Sequence, residues 1–313
     1  MTDKQYDVLV FADACVDLIL RDDDVQPQFG QVEKLVEDYA LVMGGSGCIF
    51  AAQAAKLGLR VAILGRVGTD ALGQLIIDEL VAAGVDTRYL TTHPQLRTGI
   101  TVHLAQGEDR AMLTHLGALN ALTRADISDP LLASARHLHY GSLYLHSGLL
   151  PDWIDILRRA RQLGLTTSLD TNWDPAEVWD YDLASGLRYV DVLLPNEQEA
   201  LHLSGRVGFA AAVAWLRAQV PLLVIKRDAQ GAVAWQAKRE IRQAVEPAPA
   251  GGDGIGAGDS FAAGFLAGWL GGLPLETSLA IGCQCGRGAA SAVGGAAGQP
   301  LLAAIPALQP SPL

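Results

Sequence analysis

The sequence is poor in cysteine, in aromatic residues and in positive charge. It has 4 Cys in 313 residues, too few for a disulfide scaffold in a chain of this length, so we expect structural thiols. Aromatic residues make up 6% of the chain and charged residues 18%, and 23 Lys and Arg against 34 Asp and Glu give a net charge of −11. This balance argues against a nucleic-acid-binding protein, because neutralising phosphates needs clustered Lys and Arg.

Long apolar runs and a recognisable targeting segment are also missing. The first seven residues lack the basic-then-apolar order of a signal peptide. The uncharged stretches 260–275 and 288–313 are too rich in Gly, Ala or Pro to supply the about 20 apolar residues of a membrane span. Hydrophobic residues still make up 50% of the chain, enough for a sizeable core. We therefore expect a soluble, cytoplasmic protein that binds neither membrane nor nucleic acid.

Short apolar runs alternate with helical patterns along most of the chain. Buried strands are predicted at 8–11, 61–64, 166–169, 190–194 and 222–225. A helix is predicted after the cap Asp70 and another after Pro151. The alternation favours an α/β fold whose mainly parallel sheet is covered on both faces. Because no linker is evident, residues 1–313 are expected to form a single domain.

Two segments interrupt this alternation. Residues 15–42 show no helical period, and residues 95–117 are typical of a hairpin with strands near 98–105 and 110–116. Ile100, Val102 and Leu104 share one face, as in a half-buried antiparallel sheet. We interpret the two segments as a small β-sheet lid inserted in the α/β core. The alternative is a surface ornament without function.

The strongest chemical signal is the glycine-rich segment 251–259, which precedes a predicted helix. Small residues at Gly256, Ala257 and Gly258 allow an anion to approach the free N–H groups of the first helical turn. Asp259 would repel a bound phosphate, but it makes sense as a base that accepts a proton from an attacking hydroxyl. The alternative is a flexible turn in which Asp259 is an ordinary helix residue. The Walker and Rossmann glycine patterns are absent, which disfavours those nucleotide-binding classes.

Other polar residues follow the predicted strands, where ligands bind in parallel α/β sheets. They are Asp13, Asp170, Asn172, Asn196, Glu199 and Lys226. A second glycine cluster, 44–47, precedes an apolar helix and would let a ligand approach the backbone closely. Capping and tight turns are the alternatives for each of these positions taken singly. Their common placement favours a binding site.

These motifs resemble those of the ribokinase-type sugar kinases, the phosphofructokinase-B group. Residues 253–259 match the signature D-T-x-G-A-G-D, residues 44–47 match the double glycine of the N-terminal signature, residues 196–199 match N-x-x-E and residues 170–172 match D-x-N. The resemblance implies a ribokinase-like three-layer sandwich with a mainly parallel central sheet and a small β lid. It also implies a possible homodimer through that lid.

The resemblance further implies roles for individual residues. Asp259 would be the base, and Gly256, Ala257 and Gly258 the anion hole. The substrate would contact Asp13, Asp17, Gly44, Gly45, Asp170 and Asn172. ATP would be bound by Asn196, Glu199, Lys226, Gly231 and Asp253, with Glu199 reaching Mg²⁺ through water. A monovalent cation such as K⁺ is common near the anion hole of this family.

Five positions depart from the family pattern. Gly254 replaces the signature threonine, and Cys15 and Ile49 stand where sugar-binding asparagines are common, which argues against ribose itself. Asp174 replaces a frequent arginine and Asp228 a frequent glycine. We expect ATP-dependent phosphorylation of a primary hydroxyl of a neutral sugar or related small molecule. The alternatives are a nucleoside kinase of the same fold and a catalytically weak sugar- or nucleotide-binding regulator.

Overall fold

The computed structural model describes residues 4–106 and 109–309. Its strands, numbered along the chain, are β1 (Tyr6–Phe11), β2 (Cys15–Arg21), β3 (Asp38–Gly44), β4 (Val61–Gly68), β5 (Asp86–His93), β6 (Gly99–Gln106), β7 (Asp109–His115), β8 (Ala135–Tyr140), β9 (Thr166–Leu169), β10 (Val192–Leu193), β11 (Leu222–Lys226), β12 (Ala232–Gln236) and β13 (Arg239–Gln243). Its α-helices are α1 (Ser46–Lys56), α2 (Ala71–Ala82), α3 (Asp129–Ala133), α4 (Trp153–Gln162), α5 (Leu183–Leu187), α6 (Glu197–Ser204), α7 (Phe209–Arg217), α8 (Ala257–Leu270) and α9 (Leu275–Ala289). The predicted strands and helices are present, with ends shifted by a few residues.

The large sheet has the order β13-β12-β11-β10-β9-β8-β1-β4-β5. From β11 to β5 all neighbouring strands are parallel, while β12 and β13 add to one edge in antiparallel fashion. One apolar core packs α3 to α7 on one face, and a second packs α1, α2, α8 and α9 on the other. The predicted α/β sandwich with a mainly parallel sheet is therefore confirmed.

Local sequence signals explain several helix ends. Asp70 caps α2 by accepting a hydrogen bond from the N–H of Gly73, as its position predicts. Pro151 stands in a short 3₁₀ turn that leads directly into α4. The four cysteines are buried free thiols. Within the described ranges, no helix has the length and hydropathy of a bilayer span.

The small sheet has the order β3-β2-β6-β7. The pairs β2–β3 and β6–β7 are antiparallel, the latter being the predicted hairpin, while β2 and β6 pair in parallel. The alternation in β6 is present, yet the buried face carries Thr101 and His103, while Ile100, Val102 and Leu104 face outward and are half-buried. Alternation shows which residues share a face, but it does not show which face is covered.

Candidate active site

The predicted site residues gather at the carboxyl ends of the central strands of the large sheet. Asp13 follows β1, Asp170 follows β9, and Lys226 ends β11. A backbone bridge joins Asn196 to Lys226, and the first turn of α8 brings Asp259 to the same place. This is where a parallel α/β sheet binds ligands. We call Asp13, Asp170, Lys226 and Asp259 the strand-end cluster.

Asp13 is buried beneath the start of α1. Its carboxylate accepts hydrogen bonds from the backbone N–H groups of Ser46, at 3.0 Å, and Gly47, at 2.7 Å, and from the hydroxyl of Ser142, at 2.6 Å. A negative charge at a helix N-terminus is stabilised by the free N–H groups and the helix dipole. These donors occupy the carboxylate, so the geometry favours positioning of the glycine loop over the predicted direct contact with substrate.

The double glycine fits closely between two aspartates. A Cβ on Gly44 would lie 2.3 Å from the carboxylate of Asp17. Gly45 has φ +85°, and a Cβ there would lie 2.2 Å from the backbone oxygen of Asp13. A side chain is therefore excluded at Gly44 by contact, and at Gly45 both by contact and by backbone conformation. The chain uses these glycines to bring its backbone against the predicted substrate pocket.

A hydroxyl and amide network joins the two predicted substrate loops. The amide nitrogen of Asn172 donates to Ser46 Oγ at 3.1 Å and to Ser142 Oγ at 3.2 Å. Ser46 is also hydrogen-bonded to the carboxylate of Asp259. Asn172 has φ +58°, a left-handed conformation that asparagine tolerates better than most residues. Asn172 therefore holds the hydroxyl that orients Asp259.

The glycine-rich segment is closed by Asp253. Its carboxylate accepts from the N–H of Ile255 and from the N–H of Gly294, both at 2.9 Å. One oxygen therefore closes the loop on itself and the other links it to Gly294, and direct binding of ATP by this carboxylate stays a prediction. Gly256 has φ +69° at the N-cap of α8, and a Cβ there would lie 2.6 Å from the Cα of Gly295. Ala257 and Gly258 follow as the first helical residues.

Gly254, which departs from the signature, also has a positive φ of 69°. An added Cβ would meet no atom within 4 Å, so conformation rather than space explains the glycine. A β-branched threonine would be strained at this φ. The departure therefore matches the local backbone of this chain.

Asp259 has the electrostatics of a poised base. Burial, with the neighbouring charge of Asp170, raises its pKa to about 7, while the charge of Lys226 opposes the shift. A carboxyl group with a pKa near neutrality can accept a proton more readily than an ordinary aspartate. The structure therefore places a basic carboxylate directly beside the first-turn N–H groups of α8.

Lys226 connects Asp259 with Asp170. Its Nζ lies 2.5 Å from Asp170 Oδ2 and 3.4 Å from where a Cβ of Gly258 would stand. Burial alone would lower the pKa of Lys226, but Asp170, Glu199 and Asp259 together raise it. The side chain therefore stays cationic beside the predicted anion hole, where it can stabilise a migrating phosphoryl group.

Asn196 and Glu199 form a capping box at the start of α6. The N–H of Glu199 donates to Asn196 Oδ1 and the N–H of Asn196 donates to Glu199 Oε2, each at 2.8 Å. Burial raises the pKa of Glu199 to about 7, with Lys226 opposing and Asp170 adding to the shift. The box explains the N-x-x-E spacing locally. No group of three or more metal-ligating side chains occurs in the described ranges.

Two further departures have local structural reasons. The carboxylate of Asp174 accepts from the N–H groups of Ala176, Val178 and Trp179 at 2.8 to 2.9 Å, so it shapes the loop after β9. Asp228 has φ +45° in the turn that ends at Gly231. A Cβ on Gly231 would lie 2.0 Å from the backbone oxygen of Gln243. Gly231 is thus required by this turn, and its contact with nucleotide stays a prediction.

The inner face of the small sheet carries Asp17, Thr101 and His103, all buried. His103 Nε2 lies 3.2 Å from Asp17 Oδ1. Cys15, which is also buried, has its Sγ 3.9 Å from the same oxygen. At the outer end of this sheet, Arg110 donates to the backbone oxygen of Asp253 at 3.1 Å. That bond ties the small sheet to the glycine-rich loop.

The sequence reasoning missed Ser46, Ser142, His103 and Arg110. Ser142 follows β8, so its place at a strand end was the available signal. Ser46 belongs to the 44–47 motif, in which the sequence indicates a role for the glycines only. His103 meets Asp17 through the pairing of distant strands, and Arg110 meets the loop at Asp253 through tertiary packing. The sequence offers no local signal for either.

The fold is that of a carbohydrate kinase family. The family model of the pfkB family carbohydrate kinases matches residues 5–301. The chain is 25% identical to a 5-dehydro-2-deoxygluconokinase of Shouchella clausii, with 97% of this chain and 96% of that protein covered. The solved adenosine kinase of Sinorhizobium meliloti is 27% identical, with a TM-score of 0.83 and coverage of 96% and 98%.

An Arabidopsis thaliana ribokinase, solved with ribose and ATP, shares the fold at a TM-score of 0.80, 22% identity and coverage of 98% and 99%. The protein belongs to the pfkB carbohydrate kinase family. The suspected family resemblance and the ribokinase-like fold are thereby confirmed.

Proposed function

We propose that this kinase transfers the γ-phosphoryl group of ATP to a primary hydroxyl of a neutral sugar. The observation that carries the proposal is Asp259, a carboxylate with a pKa of about 7, at the N-terminus of α8. The solved relatives described above include a ribokinase with ATP and ribose. The glycine-lined approach at Gly44 and Gly45 supports a small polar substrate.

In the proposed reaction Asp259 accepts the proton of the substrate hydroxyl. The oxygen then attacks the γ-phosphorus, the bond to the β-phosphate oxygen breaks, and ADP leaves. The N–H groups of Gly256, Ala257 and Gly258 and the ammonium of Lys226 would stabilise the charge on the transferring group. Ser46 holds the carboxylate of Asp259 in its orientation.

The residues at the start of α6 fit a magnesium ion bound together with ATP. Mg²⁺ usually keeps several waters and takes one or two carboxylates besides the phosphates. Glu199, fixed by its bond from the Asn196 N–H, offers such a carboxylate, and Mg²⁺ would neutralise phosphate charge there. A monovalent cation near the anion hole stays a prediction of the resemblance.

The test is release of ADP from ATP and Mg²⁺ with a panel of unphosphorylated sugars and nucleosides. We expect sugar-stimulated turnover that Asp259→Asn lowers by about 10³-fold, since a positioned base contributes at least that order, while ATP binding measured by calorimetry is kept. Asp78→Asn, at an exposed carboxylate on α2, is the matched control and should leave turnover unchanged.

Near-normal turnover by Asp259→Asn would contradict its role as base. A nucleoside in place of a sugar as the best substrate would favour the nucleoside kinase alternative. ATP binding with no stimulation by any compound of the panel would favour the regulator.

We also propose that the outer face of the small sheet binds a second copy of the chain. Leu18, Leu41, Val102 and Leu113 lie opposite one another across all four strands. Tyr39, Leu41 and Leu113 are 68%, 40% and 65% exposed, so this part of the face, beyond the core residues Val16 and Met43, is apolar and open to solvent. Burying such a face against its own copy would complete a two-layer arrangement.

A further inference from the structure

His103 is a buried polar side chain whose hydrogen-bonding capacity is unmet. It is 5% exposed, and neither Nδ1 nor Nε2 has a hydrogen-bond partner among the described residues. Its Nε2 lies 3.2 Å from Asp17 Oδ1 without forming a bond of good geometry. Buried polar groups in folded proteins almost always have partners, so such a group calls for one supplied from outside the chain.

The carboxylate of Asp17 also lacks hydrogen-bond partners, in this case donors. It is 4% exposed, and Gly44 covers one side of its carboxylate. Within the part of the chain that the structure describes, its hydrogen-bond donor is the Cys15 thiol, 3.9 Å from Oδ1. A thiol is a weak donor. A buried carboxylate with so little support is costly unless a ligand donates to it.

The other polar group of this face is satisfied by the sheet. Thr101 Oγ lies 3.0 Å from Thr114 Oγ on the neighbouring strand. The deficit is therefore confined to His103 and Asp17. Register places His103 on β6 opposite Ile19 of β2 and Met112 of β7. Met112 is 57% exposed, so the sheet is open to solvent next to the His103 position.

We infer that His103 is a specificity-determining residue that binds a second hydroxyl of the sugar, adjacent to the hydroxyl that donates to Asp17. With Oδ1 of Asp17 beside the imidazole, Oδ2 is the oxygen that receives the first hydroxyl. The imidazole offers one N–H donor and one acceptor nitrogen, and both suit a hydroxyl. The substrate class is therefore a sugar with two neighbouring free hydroxyls that face the small sheet. This inference rests on the proposed sugar kinase function.

The test compares the best sugar of the panel with its monodeoxy analogues, using wild type, His103→Leu and His103→Asn. We expect wild type to reject one analogue by about 10²-fold or more in kcat/KM, because a site built for a hydroxyl leaves its polar group unpaired without it. His103→Leu should lose at least about tenfold on the full sugar and little on that analogue, so the selectivity collapses. His103→Asn should keep part of it.

A thermal shift measurement separates this role from a structural one. Replacing an unpartnered buried imidazole by leucine should raise the Tm of the ligand-free protein and reduce the additional shift that the sugar produces. His115→Leu is the matched control, since His115 is an exposed histidine of the same sheet on its outer face. It should leave selectivity unchanged.

Three results would overturn the inference. One is an equal loss of kcat/KM by His103→Leu on the sugar and on all analogues, which would mean that His103 only positions Asp17. Another is unchanged selectivity in His103→Leu. The third is a lower ligand-free Tm with selectivity kept, which would make His103 structural. If wild type neither binds nor phosphorylates any sugar, the proposed function fails as well; if it binds sugar without turnover, the same comparison is made on dissociation constants.

Discussion

The polar side chains of the strand-end cluster have hydrogen-bond or ion-pair partners, whereas those on the inner face of the small sheet largely lack them. In the cluster, Lys226 pairs with Asp170 at 2.5 Å and Asp13 accepts three donors. On the inner face, Asp17 and His103 lie buried with their capacity largely unmet. Paired groups are fixed before any substrate arrives, which is what charge stabilisation requires. Polar groups without a partner in the protein can form hydrogen bonds with a ligand, and such groups discriminate between substrates.

The two sheets also differ in which face is apolar. The strands at the centre of the large sheet are buried on both faces by helices, so they need continuous apolar sequence. The small sheet has one face that carries Asp17, Thr101 and His103, and an opposite face whose apolar residues are exposed where α2 does not cover it. Polar residues therefore face inward and apolar residues outward, the reverse of a surface sheet on a hydrophobic core.

After the loss of Asp259 itself, the largest effect should come from Gly256, in the glycine-rich loop that leads to Asp259. Gly254 and Gly256 share a φ of +69°, but a Cβ at Gly254 meets nothing, while one at Gly256 would lie 2.6 Å from the Cα of Gly295. Gly256→Ala must displace the start of α8 and its N–H groups. We expect it to lower kcat by about 10²-fold or more, since misplaced donors and reacting groups are costly.

Gly254→Ala is the matched control, because it adds the same methyl at the same φ in open space. Its expected cost is the left-handed strain of about 1–2 kcal/mol in stability, with kcat nearly unchanged, as measured by initial rates and thermal unfolding. Equal losses of kcat in both variants would mean that backbone conformation matters there and the position of the α8 N-terminus does not.

The sequence predicts the residues of the strand-end cluster far better than the polar residues on the inner face of the small sheet. Gly256 to Asp259 are neighbours in the chain, and the strand ends follow local apolar runs, so the positions of Asp259 and Lys226 could be anticipated. His103 meets Asp17 only because β6 pairs with β2 across more than eighty residues. The parallel register and the covered face are set by tertiary packing, which short-range alternation does not encode.

Substitution of Lys226 removes the positive charge that pairs with Asp170 and lies near Asp259. Its charge lowers the pKa of Asp259 against burial and Asp170, so Lys226→Met should raise that pKa above about 7. A base must be ionised to accept a proton, so the rate would fall at neutral pH and the acidic limb of the pH–rate profile would move upward. We expect a shift of about one pH unit and a loss of at least tenfold near pH 7.

The control for this variant is Lys238→Met, which removes an exposed lysine and should leave the profile in place. Rates are measured with saturating ATP from about pH 5.5 to pH 9, within the range where this carboxyl group titrates. A uniform loss without a shift of the limb would limit Lys226 to stabilising the phosphoryl group.

The smallest effect on activity should come from the outer face, where the proposed second copy binds. Leu113→Lys places a charge on an apolar row that a dimer would bury, so light scattering should change from the mass of two chains to that of one. Because Leu113 points away from His103 and Asp17, kcat/KM should stay within about twofold, as expected for a surface substitution. Val207→Lys, at a residue that is 99% exposed between α6 and α7, should keep the wild-type mass. A monomeric wild type would rule out this pairing, whereas a dimer that survives Leu113→Lys would place the contact elsewhere and leave the outer face uncovered.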